Sequence, residues 1–184
     1  MDYQLSYLVV GFHNVIKSCC YYTERSNGMK IMEFIDEGAV CCELRGDTKE
    51  HVIRELIGLL VNTGSIKEKD VPKLVRILLE REALGSTGIG QGVAIPHGKS
   101  DCVSQLVGAL GICHHGVNFD SLDGEPTRIF FLLIAPGDSA GPHLKALARI
   151  SRLLKEKHFR DGLLNAKEEK TLTKILHDED QRAR

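Results

Sequence analysis

The chain contains no tryptophan, and aromatic residues make up only 5% of it. Proteins that grip single-stranded nucleic acid need aromatic faces on which bases stack, so that class has little to build on here. An excess of one charge is missing too: 24 Lys and Arg stand against 25 Asp and Glu, a net of −1. No overall basic field exists to hold nucleic acid or an anionic membrane, and a charged partner must be met by a local patch. No run approaches the ~18 apolar residues of a membrane span. SYLVVGFHNVI (residues 6–16) comes nearest to a secretory core, but no basic stretch precedes it and no small-residue cleavage site follows. The expectation is a cytoplasmic protein without direct membrane insertion and without a nucleic-acid partner.

The six cysteines, at 19, 20, 41, 42, 102 and 113, form no C-x-x-C element and no zinc spacing. Reduced thiols in a cytosolic protein follow, with no metal expected. Cys113-His114-His115 does not change this, because neighbours on a strand point to opposite faces and the three do not converge.

What is present suits one domain with a real core: 184 residues, 42% of them hydrophobic. Residues 1–28 stand apart, tyrosine-rich and closed by Ser26-Asn27-Gly28 before Met29 opens a fresh start. They are expected to be an N-terminal extension or an upstream start, with a strand or short helix at Leu8–Val10 or Val15-Ile16. The domain is expected over residues 29–184.

Within it, Val40, Cys42 and Leu44 alternate as a short strand does. Asp47-Thr48 opens a helix that carries Val52, Ile53, Leu56, Ile57 and Leu60 and stops at Gly64. A second helix starts at Asp70 with Pro72 in its first turn. Val71, Leu74, Val75, Leu78 and Leu79 form its apolar stripe, and Gly85 ends it. Val93–Ile95 and Leu106–Ile112 read as strands, Ser121–Gly124 as a turn, and RIFFLLIA (128–135) as a central strand buried on both faces. A helix from His143 to about Lys157 turns Leu144, Leu147, Ala148 and Leu154 inward, and a last one holds Leu172, Ile175 and Leu176. Interleaved helices and strands predict a mixed sheet covered by helices.

The chemistry concentrates in GSTGIGQGVAIPHGKS (85–100), which carries five glycines. It fits neither the Walker A loop nor the dinucleotide fingerprint, since both need glycine where Val93 stands. It ends instead on His97, between Pro96 and Gly98. Pro96 stiffens the backbone beside the ring, and Gly98 leaves room next to it. Backbone amides of the glycines and the Ser86 and Thr87 hydroxyls suit phosphate oxygens, and Arg81 just upstream is a permanent cation with a two-pronged grip. A neutral histidine in this company suits a phosphoryl acceptor. A surface loop with a bystander histidine stays open as the plainer reading. A second candidate is His143, after Gly141-Pro142 at a helix start, where the helix end disfavours a protonated ring. It would be a neutral donor to a phosphoryl group or to the His97 ring, or else a mere helix-end residue. Histidines 13, 51, 114, 115, 158 and 177 show no comparable setting.

EREALGSTGIGQGVAIPHGKSD (80–101) closely resembles the active-site signature of type-2 enzyme IIA domains, and GPHLKALARIS resembles that family's second-histidine helix. These domains belong to the bacterial phosphoenolpyruvate-dependent sugar phosphotransferase system, fructose/mannitol class. The similarity covers residues 29–178. It implies an α/β fold of the α+β type, with a mixed, mostly five-stranded sheet flanked by helices. It implies a phosphocarrier whose His97 is charged by the phosphohistidine of HPr or a nitrogen-branch HPr-like protein. Arg81 and His143 match positions around the phosphorylated ring, and Ser86, Thr87 and Gly98 match the loops lining the pocket. No metal or organic cofactor is implied. One branch of the family passes phosphate to a IIB domain for sugar transport; the nitrogen-regulatory branch binds target proteins. The short reading GSTGIGQGVAIPHGK is more similar to the regulatory branch. A binding module that is never phosphorylated, and a nucleotide-binding enzyme, are the competing classes.

Overall fold

The computed structural model describes residues 29–182. The extension at 1–28, with its expected strand or helix, lies outside the described residues. A 3-10 turn at Ile31–Glu33 leads into β1 (Ile35–Cys41) and α1 (Lys49–Asn62). A second 3-10 turn, Glu68–Asp70, runs into α2 (Val71–Ala83). Three short strands follow, β2 (Gly88–Gly90), β3 (Val93–Ala94) and β4 (His97–Lys99), then the long β5 (Val107–Val117) and β6 (Thr127–Ala135). The chain closes with α3 (Ala140–Leu153), α4 (Lys157–Asn165) and α5 (Glu169–Arg182).

The sheet has six strands in the order β1-β5-β6-β3-β2, with β4 also paired to β6. β5 and β6 are antiparallel, whereas β1 runs parallel to β5, and β3 and β4 run parallel to β6. The mixed sheet is as expected; the sixth strand is β4, at the histidine itself. β6 is central because its sequence leaves it no other place: Ile129 to Ala135 are at most 1% exposed. Strand alternation then splits the core in two. Phe130, Leu132 and Ile134 pack with α1 and α2 on one face, while Ile129, Phe131 and Leu133 pack with α3, α4 and α5 on the other.

Thr48 caps α1 as its position predicts, accepting from His51 N at 3.2 Å. Four readings change. The first strand is Ile35–Cys41, earlier than Val40–Leu44, because its pairing with β5 shifts register between Ile35 and Val40. The glycine-rich stretch is a β2–β3 hairpin rather than a loop, with Gly90, Gln91 and Gly92 all at positive φ at its tip. The helix expected up to Lys157 breaks after Leu153, where Arg160 donates to the free carbonyls of Leu154 (2.7 Å) and Lys155 (2.9 Å) and α4 begins. Leu144 points outward, 44% exposed.

Candidate functional site

His97 is set by the backbone on either side of it. Leu133 N donates to Pro96 O at 2.9 Å, and β4 continues in register with β6, His97 opposite Leu133. Ile95 N turns the other way, donating to Thr87 O at 3.0 Å in the hairpin. The Ile95 carbonyl is thereby aimed at the ring, 2.8 Å from His97 Nδ1. A carbonyl only accepts, so Nδ1 carries the proton and Nε2 keeps a free lone pair. Burial holds the ring's pKa below its ordinary value, with the Ile95 hydrogen bond opposing and the Arg81 charge adding to the effect.

His143 occupies the first turn of α3, and its ring centroid lies 5.6 Å from that of His97, the planes tilted by 50°. It is buried, and burial, followed by the charges of His97 and Lys99, lowers its pKa to about 4. Its Nδ1 is buried with no hydrogen-bond partner among the described residues. A lone pair is cheaper to leave unmatched there than an N–H, which assigns the proton to Nε2. The pair of histidines read from sequence is thus one pair of neutral rings.

Arg81, in the last turn of α2, donates from Nη1 to Gly85 O at 3.0 Å, and its field reaches His97. The hydroxyls are placed differently from a set of free donors. Ser86 Oγ donates to Phe119 O at 2.6 Å and accepts from Gly88 N at 3.0 Å. Thr87 is buried, and its N–H (2.8 Å) and hydroxyl (2.6 Å) both donate to Glu82 Oε2. Both hydroxyl protons therefore hold the hairpin. Gly98 does not simply clear space at the ring: a Cβ there would lie 3.1 Å from Ile77 Cγ2 and 3.4 Å from Leu78 Cδ2, so the glycine lets β4 approach α2.

Sequence reasoning missed the buried Glu82, which also accepts from Lys49 Nζ at 2.7 Å. Lys49 in turn pairs with Asp120 at 2.9 Å. A signal was present: Leu74, Leu78 and Glu82 recur every fourth residue, which puts a carboxylate on the apolar stripe of α2. A cavity of about 380 Å³ lies over Lys49, Glu82, Ser86 and Asp120, and His97 is not in its wall. Cys113 and His115 do share a face, Sγ to Nε2 3.2 Å, as i and i+2 on a strand must. Among the described residues no group of three or more His, Cys, Asp or Glu could hold a metal ion, and no helix is long and apolar enough to cross a membrane.

Comparison with known proteins gives the family. The family model "Phosphoenolpyruvate-dependent sugar phosphotransferase system, EIIA 2" matches residues 33–179. A nitrogen regulatory protein of Bradyrhizobium diazoefficiens is 33% identical over 80% of this chain and 95% of its own length. The fructose-specific EIIABC component of Bacillus subtilis is 35% identical over 83% of this chain, which spans only 24% of that protein. The crystal structure of nitrogen regulatory protein IIA-Ntr from Neisseria meningitidis superposes with a TM-score of 0.72 at 32% identity, covering 79% of this chain and 98% of that one. The mixed sheet flanked by helices is the fold of these phosphotransfer components. The chain belongs to the type-2 EIIA family of the phosphoenolpyruvate-dependent sugar phosphotransferase system.

Proposed function

We propose that the domain is a cytoplasmic phosphocarrier whose His97 Nε2 accepts a phosphoryl group from the phosphohistidine of HPr or a nitrogen-branch HPr-like protein. The observation that carries this is the 2.8 Å contact of His97 Nδ1 with Ile95 O, which leaves Nε2 as the nucleophile. Its lone pair forms the new P–N bond as the donor's P–N bond breaks, and the electron pair of that bond leaves on the donor imidazole. Nδ1–H stays in place, and its hydrogen bond to Ile95 O stabilises the positive ring of the adduct. Arg81 balances charge on the phosphoryl oxygens, and His143 Nε2–H donates to one of them.

A protein rather than a small donor suits the surface. The exposed large apolar side chains Leu84, Ile89, Leu122 and Leu144 lie close in sequence or by hairpin contact to Arg81, the β2–β3 hairpin and His143, and Leu122 N donates to Gly88 O. Val93, between them in sequence, is instead in the core at 1% exposure.

Downstream we read a regulatory role, in which the phosphorylation state selects target proteins, because the match runs along nearly the whole of a nitrogen regulatory protein. The second reading, delivery to a fructose/mannitol-type IIB for transport, is favoured by the comparable identity to a fructose-specific component. Incubation with phosphoenolpyruvate, enzyme I and HPr should add one acid-labile phosphoryl group to the protein and none to His97→Ala. No gain with several active HPr proteins would sink the phosphocarrier and favour the unphosphorylated binding module.

A further inference from the structure

The tautomer of His97 depends on the Ile95 carbonyl, and that carbonyl does not hold itself in place. A single line of hydrogen bonds leads back from it into α2. His97 Nδ1 donates to Ile95 O at 2.8 Å. Ile95 N donates to Thr87 O at 3.0 Å. Thr87 N and Oγ1 donate to the same oxygen of Glu82, at 2.8 and 2.6 Å. The other oxygen of Glu82 takes Lys49 Nζ at 2.7 Å. Three donors converge on one buried carboxylate, two of them from the residue whose own carbonyl fixes Ile95.

The placement is costly unless it serves something. Glu82 stands on the stripe of Leu74 and Leu78, where leucine would pack without any partner. Thr87 is 3% exposed, so without Glu82 its amide and hydroxyl have no water to turn to. The start of β2 would then have to move, and Thr87 O with it. Pro96, next after Ile95, has no N–H to donate, so the segment's other anchor is its carbonyl, which accepts from Leu133 N at 2.9 Å and leaves the Ile95 side to Thr87.

We propose that Glu82 is a positioning residue for the nucleophile, fixing the Nδ1–H tautomer of His97 through Thr87 and Ile95. This rests on the reading of His97 as phosphoryl acceptor. A reorganised Ile95 carbonyl would let the ring populate its other tautomer, in which Nε2 carries the proton and cannot attack.

The test compares Glu82→Leu with Glu82→Gln. Leucine suits the stripe but offers no acceptor, whereas glutamine keeps one oxygen for Thr87. The tautomer is read on the unphosphorylated, folded proteins from the ring ¹⁵N shifts of His97, and transfer from phosphorylated HPr is measured alongside. In Glu82→Leu the ring should become a mixture of tautomers, and kcat should fall about tenfold or more with KM for the donor little changed. Glu82→Gln should retain most of both. Should Glu82→Leu not fold, Thr87→Val, which removes one of the two donors, takes its place with a smaller shift expected. A folded variant of either kind with an unchanged tautomer and rate overturns the proposal, as does a loss that is equal in Glu82→Gln and Glu82→Leu. Wild-type protein that takes no phosphoryl group would instead count against the function itself, while its tautomer and that of the variants still judge Glu82.

Discussion

The His97 and His143 rings stand 5.6 Å apart, centroid to centroid, one on a sheet strand and the other in the first turn of a helix. Two imidazolium ions at that range in a half-buried site would repel strongly, and burial disfavours either charge. Both pKa values lie below the ordinary histidine range, that of His143 at about 4. The pair is therefore neutral at neutral pH, one ring offering a lone pair and the other an N–H.

The His97 ring should titrate with a midpoint below 6.5, its unperturbed value. Because Arg81 disfavours the protonated ring, Arg81→Gln should move the midpoint upward while slowing phosphoryl transfer by about 10²-fold. Ring titration by NMR checks the first, and single-turnover transfer the second.

Stability should fall in acid through His143. The native ring refuses a proton until about pH 4, whereas the unfolded ring binds one below its ordinary value of 6.5. The unfolded state thus holds more protons in this window, and stability is fully present above pH 6.5 and declines as pH falls. The loss reaches about 3 kcal/mol by pH 4. Urea melts of wild type and His143→Gln at pH 7, 6, 5 and about 4.5 should diverge in slope accordingly. Parallel curves would contradict the burial of a neutral ring.

Gly98→Ala should destabilise the domain by about 1–2 kcal/mol. Its new methyl would sit 3.1 Å from Ile77 Cγ2, a contact that pushes β4 from α2 and shifts the neighbouring His97. A thermal melt gives the stability change, and slowed transfer in the folded variant gives the displacement.

Leu122→Asp should leave stability within about 0.5 kcal/mol, because the side chain is 65% exposed. It should raise KM for phosphorylated HPr about tenfold with kcat nearly unchanged, the signature of lost docking. An unaltered KM would remove Leu122 from the partner surface.

Much of this was written locally. The apolar periodicity of α1 and α2, the Thr48 cap and the unbroken run of β6 each depend on residues within a few positions, so their elements and their buried faces could be read directly. The glycine, proline and charge around His97, His143 and Arg81 singled them out as candidates, and the fold does bring the two rings together within the field of Arg81. The hairpin in the glycine stretch was hidden because β3 is held by β6 and the hairpin tip by Asp123, whose carboxylate accepts Gln91 N at 2.7 Å, and no local pattern encodes those partners. The break between α3 and α4 was hidden because Arg160, from beyond the break, satisfies the carbonyls that end α3.

The sequence by itself determined the chemistry available: a histidine in a stiff, glycine-flanked segment, a second histidine near a helix start, and a nearby arginine. Tertiary structure alone decided how that chemistry is aimed. The two rings meet because β4 pairs with β6 and α3 returns over the same end of the sheet, while the His97 tautomer is set by a carbonyl held through Thr87 to Glu82. Pair distances and buried hydrogen bonds are properties of segments far apart in the chain, so they exist only once both faces of the sheet have been covered.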